Sequence, residues 1–100
     1  MIKVSINKSD KVVNNIIING HANFDEYGKD IVCASVSSIV ITSINAILRI
    51  DEKAINYQEK EGLVIIDINK HTKVVDLLIE NMIDLLEQLQ KEYRKNIKIN

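Results

Sequence analysis

Residues 30–50 read DIVCASVSSIVITSINAILRI, and the architecture of the 100-residue chain depends on whether this stretch is a helix or a strand. Its many Ile and Val residues favour a strand, but the run is much longer than a typical strand. Residues recur at spacings of three and four along two rows, which are Val32, Val36, Ile39, Ser43 and Ile47, and Cys33, Ser37, Val40, Ile44 and Leu48. Because apolar residues lie on more than one face, the pattern predicts a largely buried helix, capped by Asp30 or a neighbour.

Two strands are predicted on the N-terminal side of this helix. Residues 2–6 alternate strictly between apolar and polar side chains, and residues 12–19 are rich in β-branched residues. The polar residues 7–11 between them are typical of a turn, so the two strands are expected to form a hairpin. Gly20 ends the second strand, and a polar loop over residues 22–29 leads into the helix.

The C-terminal side predicts a second hairpin, a second helix and a short strand. The hairpin joins residues 54–58 and 63–68, and Thr72 is the expected N-cap of the helix, with His71 just outside it. The apolar stripe of this helix comprises Val75, Leu78, Met82, Leu85, Leu86, Leu89 and Tyr93. Residues 97–99 alternate as a final strand. The order ββαββαβ predicts an α+β fold, an α/β sandwich in which two helices pack on a mixed sheet, with residues 1–100 as a single domain.

Composition restricts the class of protein. The chain is 46% hydrophobic and 27% charged, as expected of a folded globular domain, and its net charge of −1 provides no basic face for direct nucleic-acid binding. A single cysteine cannot form an internal disulfide and fits a reducing compartment. Polar residues interrupt the most apolar segment, residues 31–50, so no membrane span is expected. These features predict a soluble cytoplasmic protein.

The cysteine and a histidine are the residues that point to chemistry. Cys33 falls in the first turn of the predicted helix, where the helix dipole favours a thiolate, and His21 lies twelve positions earlier at the end of a predicted strand. A thiol and an imidazole within hydrogen-bond reach form a nucleophile and its base. Taken alone, Cys33 is more typical of a buried core thiol and His21 of a loop histidine. With His71 they are too few and too dispersed for a metal site, and no cofactor is predicted.

The segments Gly20-His21-Ala22 and YGKDIVCA at residues 27–34, followed by Ser37, resemble the signature of the bacterial ribosomal-processing cysteine protease family, Prp. The resemblance continues through residues 43–47 and the order of strands and helices. It implies an α/β homodimer that trims an N-terminal extension from a large-subunit ribosomal protein. By the same resemblance, the catalytic residues fall on His21 and Cys33, and supporting residues on Gly20, Asp30 and Ser37. The chain departs from the family at Ser35-Val36, where smaller residues are commoner, so Val36 adds bulk beside the site.

The supporting residues keep two interpretations each. Asp30 either orients His21, as the third member of a triad does, or only caps the helix. The Ser37 hydroxyl either contacts the thiolate or substrate, or is buried and donates to the carbonyl one turn back. Backbone N–H groups at the helix start are candidate oxyanion donors.

The loop over residues 22–29 is expected to lie over the Cys33–His21 pair. Its hinge at Gly28 and its few apolar anchors, Phe24 and Tyr27, suggest a mobile loop that orders on substrate binding. Asp25 and Glu26 either attract a basic substrate segment or are simply solvated.

The leading hypothesis is a cysteine endopeptidase whose partner is the N-terminal segment of a ribosomal protein. The alternative is a non-catalytic dimeric ribosome-associated binding module in which Cys33 is only a core residue. A thiol-redox enzyme is disfavoured because the chain has no resolving cysteine. A homodimer is expected because Leu77, Ile79 and Ile83 flank the main stripe of the second helix, giving it more apolar surface than one contact face requires.

Overall fold

The computed structural model describes residues 1–100 and contains the seven predicted elements in the predicted order. They are β1 (Ile2–Ser9), β2 (Val12–Asn19), α1 (Ile31–Ile50), β3 (Ile55–Lys60), β4 (Leu63–Ile68), α2 (Lys73–Glu92) and β5 (Ile97–Ile99). The strands form one sheet in the order β3-β4-β2-β1-β5. The β1–β5 pair is parallel and the other pairs are antiparallel, so the sheet is mixed and the α+β class is confirmed.

Both hairpins are longer than the sequence pattern indicated. β1 continues to Ser9, and the turn consists of Asp10 and Lys11, whose φ angles of 51° and 68° are both positive. Two-residue turns of this kind match the twist of paired strands. β3 continues to Lys60, which leaves only Glu61 and Gly62 in its turn. Residues at these strand ends are polar because they project beyond the core, so hydrophobic alternation underestimates the strand length.

The core lies between one face of the sheet and the two helices. Alternate residues of the strands point toward the helices, and nineteen buried hydrophobic residues form a single cluster. Those that are fully enclosed include Val4, Ile16, Ile66, Val32, Ile47, Met82 and Leu86. A fully buried aliphatic side chain contributes roughly 1.5–3 kcal/mol, so this cluster is the main source of stability.

The expectation that α1 is largely buried is wrong. Its buried residues lie on one face, whereas Ile31, Ile41 and Ile50 are each about half exposed. The reason is that α1 belongs to a single layer of helices, so its outer face has no partner within the chain. The polar residues within residues 31–50 do not by themselves exclude a membrane span, because α1 is long and apolar enough to cross a membrane by length and composition. Core helices of soluble proteins meet the same criterion.

The second helix begins as predicted but buries a different set of residues. The Thr72 hydroxyl accepts a hydrogen bond from the backbone N–H of Val75. Ile79, expected on the surplus apolar surface, belongs to the core, whereas Leu85 of the predicted stripe is 37% exposed. Leu77 is 61% exposed, as a residue outside the core should be. The surplus apolar surface of α2 is therefore smaller than predicted.

Candidate active site

Asp30 joins the start of α1 to the preceding loop. One carboxylate oxygen, Oδ1, accepts hydrogen bonds from the backbone N–H groups of Val32 and Cys33, at 2.9 and 3.0 Å. The other, Oδ2, accepts from Phe24 and Asp25, at 2.9 and 3.3 Å. A single side chain thus caps the helix and fixes the loop against it.

Of the two interpretations of Asp30, the structure supports capping. Asp30 makes no hydrogen bond or ion pair with His21. Partial burial raises the pKa of Asp30, but the backbone N–H groups that it accepts from, led by that of Cys33, together hold this pKa below its usual range. The carboxylate therefore stays ionised at neutral pH, and its negative charge remains at the start of α1.

The Cys33 thiol lies half-buried at the base of a groove. Its sulfur accepts a hydrogen bond from the backbone N–H of Ala22 at 3.2 Å. Ala22 is only 1% exposed, and its carbonyl oxygen accepts a hydrogen bond from Nδ2 of Asn96 at 2.9 Å. An N–H group that points at the sulfur stabilises negative charge there, in addition to the effect of the helix dipole.

His21 follows the end of β2 and shares the groove with Cys33. Its ring packs against Gly62 in the β3–β4 turn, where an added Cβ would lie 3.0 Å from Nε2. No hydrogen bond joins the ring to the Cys33 sulfur in this structure. Hydrogen bonds between catalytic groups are often long in unliganded enzymes and shorten when substrate binds. The structure therefore places the two predicted residues in one groove without a hydrogen bond between them.

Position 20 requires glycine because the backbone of Met1 passes too close to it for a side chain. Its φ is +100°, and an added Cβ would overlap the carbonyl oxygen of Met1. Its N–H donates to the carbonyl oxygen of Gly62 at 2.8 Å. Because Gly62 lies in the turn that His21 packs against, this bond fixes the position of the histidine relative to the β3–β4 hairpin.

The groove beside Cys33 has a volume of about 330 Å³. Its apolar floor includes Val36, Val40 and Ile44 of α1, and residues 59–64 of the β3–β4 hairpin form the opposite wall. A neighbouring cavity shares His21, Cys33, Ser37 and Glu61 with it and adds the acidic side chains of Asp25 and Asp30. The site is thus an open channel with an apolar side and an acidic side.

Ser37 is exposed and lines both cavities, and its hydroxyl makes no hydrogen bond within the chain. The interpretation of Ser37 as a buried serine that donates to a carbonyl one turn back is therefore wrong. Ser35 makes that type of bond instead, to the carbonyl oxygen of Ile31 at 2.7 Å. Ser37 is left free to contact a ligand in the groove.

The loop over residues 22–29 is anchored at its start and exposed at its tip. The Phe24 ring packs edge-to-face on Tyr93, with ring centroids 5.4 Å apart, and Ala22 is buried. Tyr27 is 88% exposed at the mouth of the groove. Glu26 lies 4.0 Å from Lys29. Phe24 is thus an anchor, as the sequence indicated, whereas Tyr27 is not.

Three of the first four amides of α1, those of Val32, Cys33 and Ala34, are already in use. The N–H groups of Val32 and Cys33 donate to the Asp30 carboxylate, and that of Ala34 donates to the Asp30 carbonyl oxygen at 3.1 Å. In this conformation they do not serve as the oxyanion donors expected from the sequence.

Sequence reasoning missed three contributors to the site. The Ala22 N–H and the Asn96 side chain leave no sequence signal, because their contacts join residues that are distant along the chain. Gly62 is visible as a turn glycine, but its contact with His21 depends on β4 pairing with β2.

Comparisons with known proteins give matches along nearly the whole chain. The family model described as Cysteine protease Prp matches residues 1–98. The ribosomal processing cysteine protease Prp of Staphylococcus aureus is 35% identical over 104 aligned residues, which cover 100% of this chain and 98% of that protein.

Two crystal structures of the essential ribosomal processing protease Prp from S. aureus are also similar. One is in complex with a covalently linked product peptide and matches with a TM-score of 0.94 at 32% identity. The other holds a substrate peptide and matches with a TM-score of 0.87 at 31% identity. Both alignments cover 100% of this chain and 98% of the solved chain.

Proposed function

The chain belongs to the Prp family of ribosomal processing cysteine proteases, and from that premise we propose that Cys33 is its nucleophile and His21 its general base and acid. The proposed substrate is the N-terminal extension of a bacterial large-subunit ribosomal protein. The observation that carries the assignment is the groove that contains both side chains, with the Cys33 sulfur held by the Ala22 N–H. Family membership also excludes the alternative of a non-catalytic module.

In the proposed reaction the Cys33 thiolate attacks the scissile carbonyl carbon while His21 holds the thiol proton. A C–S bond forms, the carbonyl π electrons move to oxygen, and the tetrahedral intermediate collapses with cleavage of the C–N bond. His21 gives its proton to the leaving amine. Water then attacks the thioester, His21 accepts a proton from that water, and the collapse releases a carboxylic acid and regenerates Cys33.

The shape and charge of the groove support a peptide substrate. An extended chain advances about 3.3 Å per residue with side chains on alternate faces, so an open channel suits it better than a closed pocket. The apolar floor at Val36, Val40 and Ile44 suits large apolar side chains of the substrate. The acidic side, at Asp25 and Glu61, favours a basic residue elsewhere in the segment.

The supporting residues have distinct proposed roles. Gly20 allows the close backbone approach that positions His21, and Asp30 fixes the loop and the first turn of α1. Ser37 lies one helical turn after Cys33, with a free hydroxyl in the groove. We assign Ser37 to a hydrogen bond with the substrate backbone.

The proposal includes a cytoplasmic homodimer. The exposed apolar residues that support a dimer are on α1 as much as on α2, namely Ile31, Ile41, Ile50, Leu77 and Leu85. Exposed apolar patches of this kind are typical of interfaces, and most homo-oligomers are two-fold dimers. Light scattering at micromolar concentration is expected to give twice the monomer mass of 11.4 kDa, and the monomer mass would contradict the dimer.

The test uses a large-subunit ribosomal protein that carries its N-terminal extension. Wild type, Cys33→Ala and Ser35→Ala are incubated with it, and the products are identified by mass spectrometry. Ser35 is the matched control because its hydroxyl is bonded to Ile31 on the same helix and it does not line the groove. Wild type and Ser35→Ala are expected to release the extension and Cys33→Ala is not. Release by Cys33→Ala would refute the assignment.

A further inference from the structure

Asn96 lies in the connection between α2 and β5, 74 residues from Ala22. Its backbone is fixed on both sides, because its N–H donates to the carbonyl oxygen of Tyr93 at 2.9 Å and its carbonyl oxygen accepts from Ile2 at 2.8 Å. The side chain is therefore presented from a rigid position. Its Nδ2 donates to the carbonyl oxygen of Ala22 at 2.9 Å in a partly buried setting.

Ala22 is the residue whose N–H contacts the Cys33 sulfur, at 3.2 Å. The next residue, Asn23, has a φ of 56°, in the left-handed region that residues with side chains seldom adopt. The chain thus turns sharply directly after the residue that contacts the thiol. The bond from Asn96 holds the carbonyl at this turn, so the orientation of Ala22 depends on a donor from a distant part of the chain.

We propose that Asn96 is a positioning residue for the thiol, which fixes the Ala22 N–H on the Cys33 sulfur by holding the Ala22 carbonyl. The inference rests on the proposed role of Cys33 as the nucleophile. It requires a hydrogen-bond donor at position 96, because a carbonyl oxygen only accepts. A hydrogen bond to the sulfur favours the thiolate over the thiol, so loosening Ala22 lowers the thiolate fraction at a given pH.

The test compares Asn96→Asp with Gln90→Glu. Both changes replace an amide donor with a carboxylate of nearly the same shape. Gln90 is matched because its Nε2 donates to the carbonyl oxygen of Ile97, the residue after Asn96, at 3.5 Å. The measurements are the alkylation rate with iodoacetamide against pH, the cleavage of the ribosomal-protein segment and the thermal unfolding temperature. The chain has one cysteine, so alkylation reports Cys33 alone.

Asn96→Asp is expected to move the alkylation profile to higher pH, lowering the rate near pH 6.5 by about tenfold, the size expected from one lost hydrogen bond to a charged group. Cleavage falls by a similar factor, and Gln90→Glu leaves both unchanged. If Asn96→Asp does not fold, Asn96→Ala takes its place with the same expected shift, because alanine has no side-chain donor.

A profile of the folded Asn96 variant that superimposes on wild type would overturn the inference, even if cleavage falls, since a purely structural role would not move thiol ionisation. An equal shift in Gln90→Glu would also overturn it. The proposed function fails on a different observation, which is cleavage by Cys33→Ala. The two failures are therefore distinguishable.

Discussion

The starts of the two helices have the same local geometry and different surroundings. Each helix is 20 residues long and has an N-cap side chain that accepts the N–H of the third helical residue, Cys33 in α1 at 3.0 Å and Val75 in α2 at 3.2 Å. A histidine precedes each helix. The second carboxylate oxygen of Asp30 accepts hydrogen bonds from the preceding loop, whereas the Thr72 hydroxyl accepts only from its own helix.

The two histidines also differ in how many hydrogen bonds their rings make. Both ring nitrogens of His71 are occupied, Nδ1 by Asp76 and Nε2 by Asn14, each at 3.0 Å. His21 has no hydrogen-bond partner and opens into the groove with Cys33. Only the start of α1 therefore combines a loop fixed to the helix cap with a histidine whose ring is left free.

Substitutions of Cys33 and Val75, each the third residue of its helix, are expected to differ most strongly in their effect on cleavage. Cys33→Ala is expected to abolish cleavage with little loss of stability, because it removes the nucleophile from a half-buried site. Val75→Ala is expected to destabilise the fold by roughly 1–3 kcal/mol, because Val75 is fully buried, while leaving the chemistry in place. Peptide cleavage and urea unfolding of both variants are the measurements. Cleavage by Cys33→Ala at the wild-type rate would show that Cys33 is not the nucleophile.

His21→Ala is expected to lower kcat/KM by about 10²–10⁴, the usual contribution of general acid–base catalysis. His71→Ala is the matched control, because His71 also precedes a helix but its ring is bonded to Asp76 and Asn14. It should leave cleavage unchanged. Equal losses in the two variants would show that the effect is one of folding.

Asp30→Ala and Thr72→Ala are both expected to cost ~1 kcal/mol of stability as lost caps. Only Asp30→Ala should also lower cleavage, by about 10–100-fold, because it releases the loop from the first turn of α1. Urea unfolding and peptide cleavage measure the two effects. A Thr72→Ala variant with the same loss of cleavage would contradict this account of the Asp30 loop contacts.

The pH dependence of Asp30 has a definite sign. Its pKa is depressed in the folded state, so its contribution to stability is complete above the unfolded value of about 3.9 and is lost as the pH falls through the folded value. The stability difference between wild type and Asp30→Asn should therefore shrink below about pH 4. Urea unfolding of both proteins between pH 3 and pH 7 measures it. A difference that grows on acidification would contradict the assignment.

The smallest expected effect compares two glycines with positive φ. Gly62 and Gly28 have φ of +71° and +86°, so an alanine is strained at either position. Gly28 has open space around it, whereas a Cβ at Gly62 would press on the His21 ring. Gly62→Ala is expected to lower cleavage a few-fold more than Gly28→Ala at matched stability. Equal cleavage by Gly62→Ala and Gly28→Ala would show that displacement of the His21 ring does not affect activity.

The sequence predicts the element order and the caps well, because hydrophobic periodicity and capping residues such as Asp30 and Thr72 are local signals. It also places Cys33 and His21 at element ends. It overestimates the burial of α1, because periodicity does not report how many layers cover a helix. It does not reveal the contacts of Asn96 or Gly62 with the site, since they depend on the sheet order and the α2–β5 connection.

We propose that Cys33 and His21 act together although no hydrogen bond joins them in this structure. The most direct test is the alkylation rate of Cys33 against pH in wild type and in His21→Ala. A nearby imidazolium favours the thiolate, so its removal should move the His21→Ala profile to higher pH. Superimposable profiles would show that the two residues are not coupled and would contradict the proposed pair.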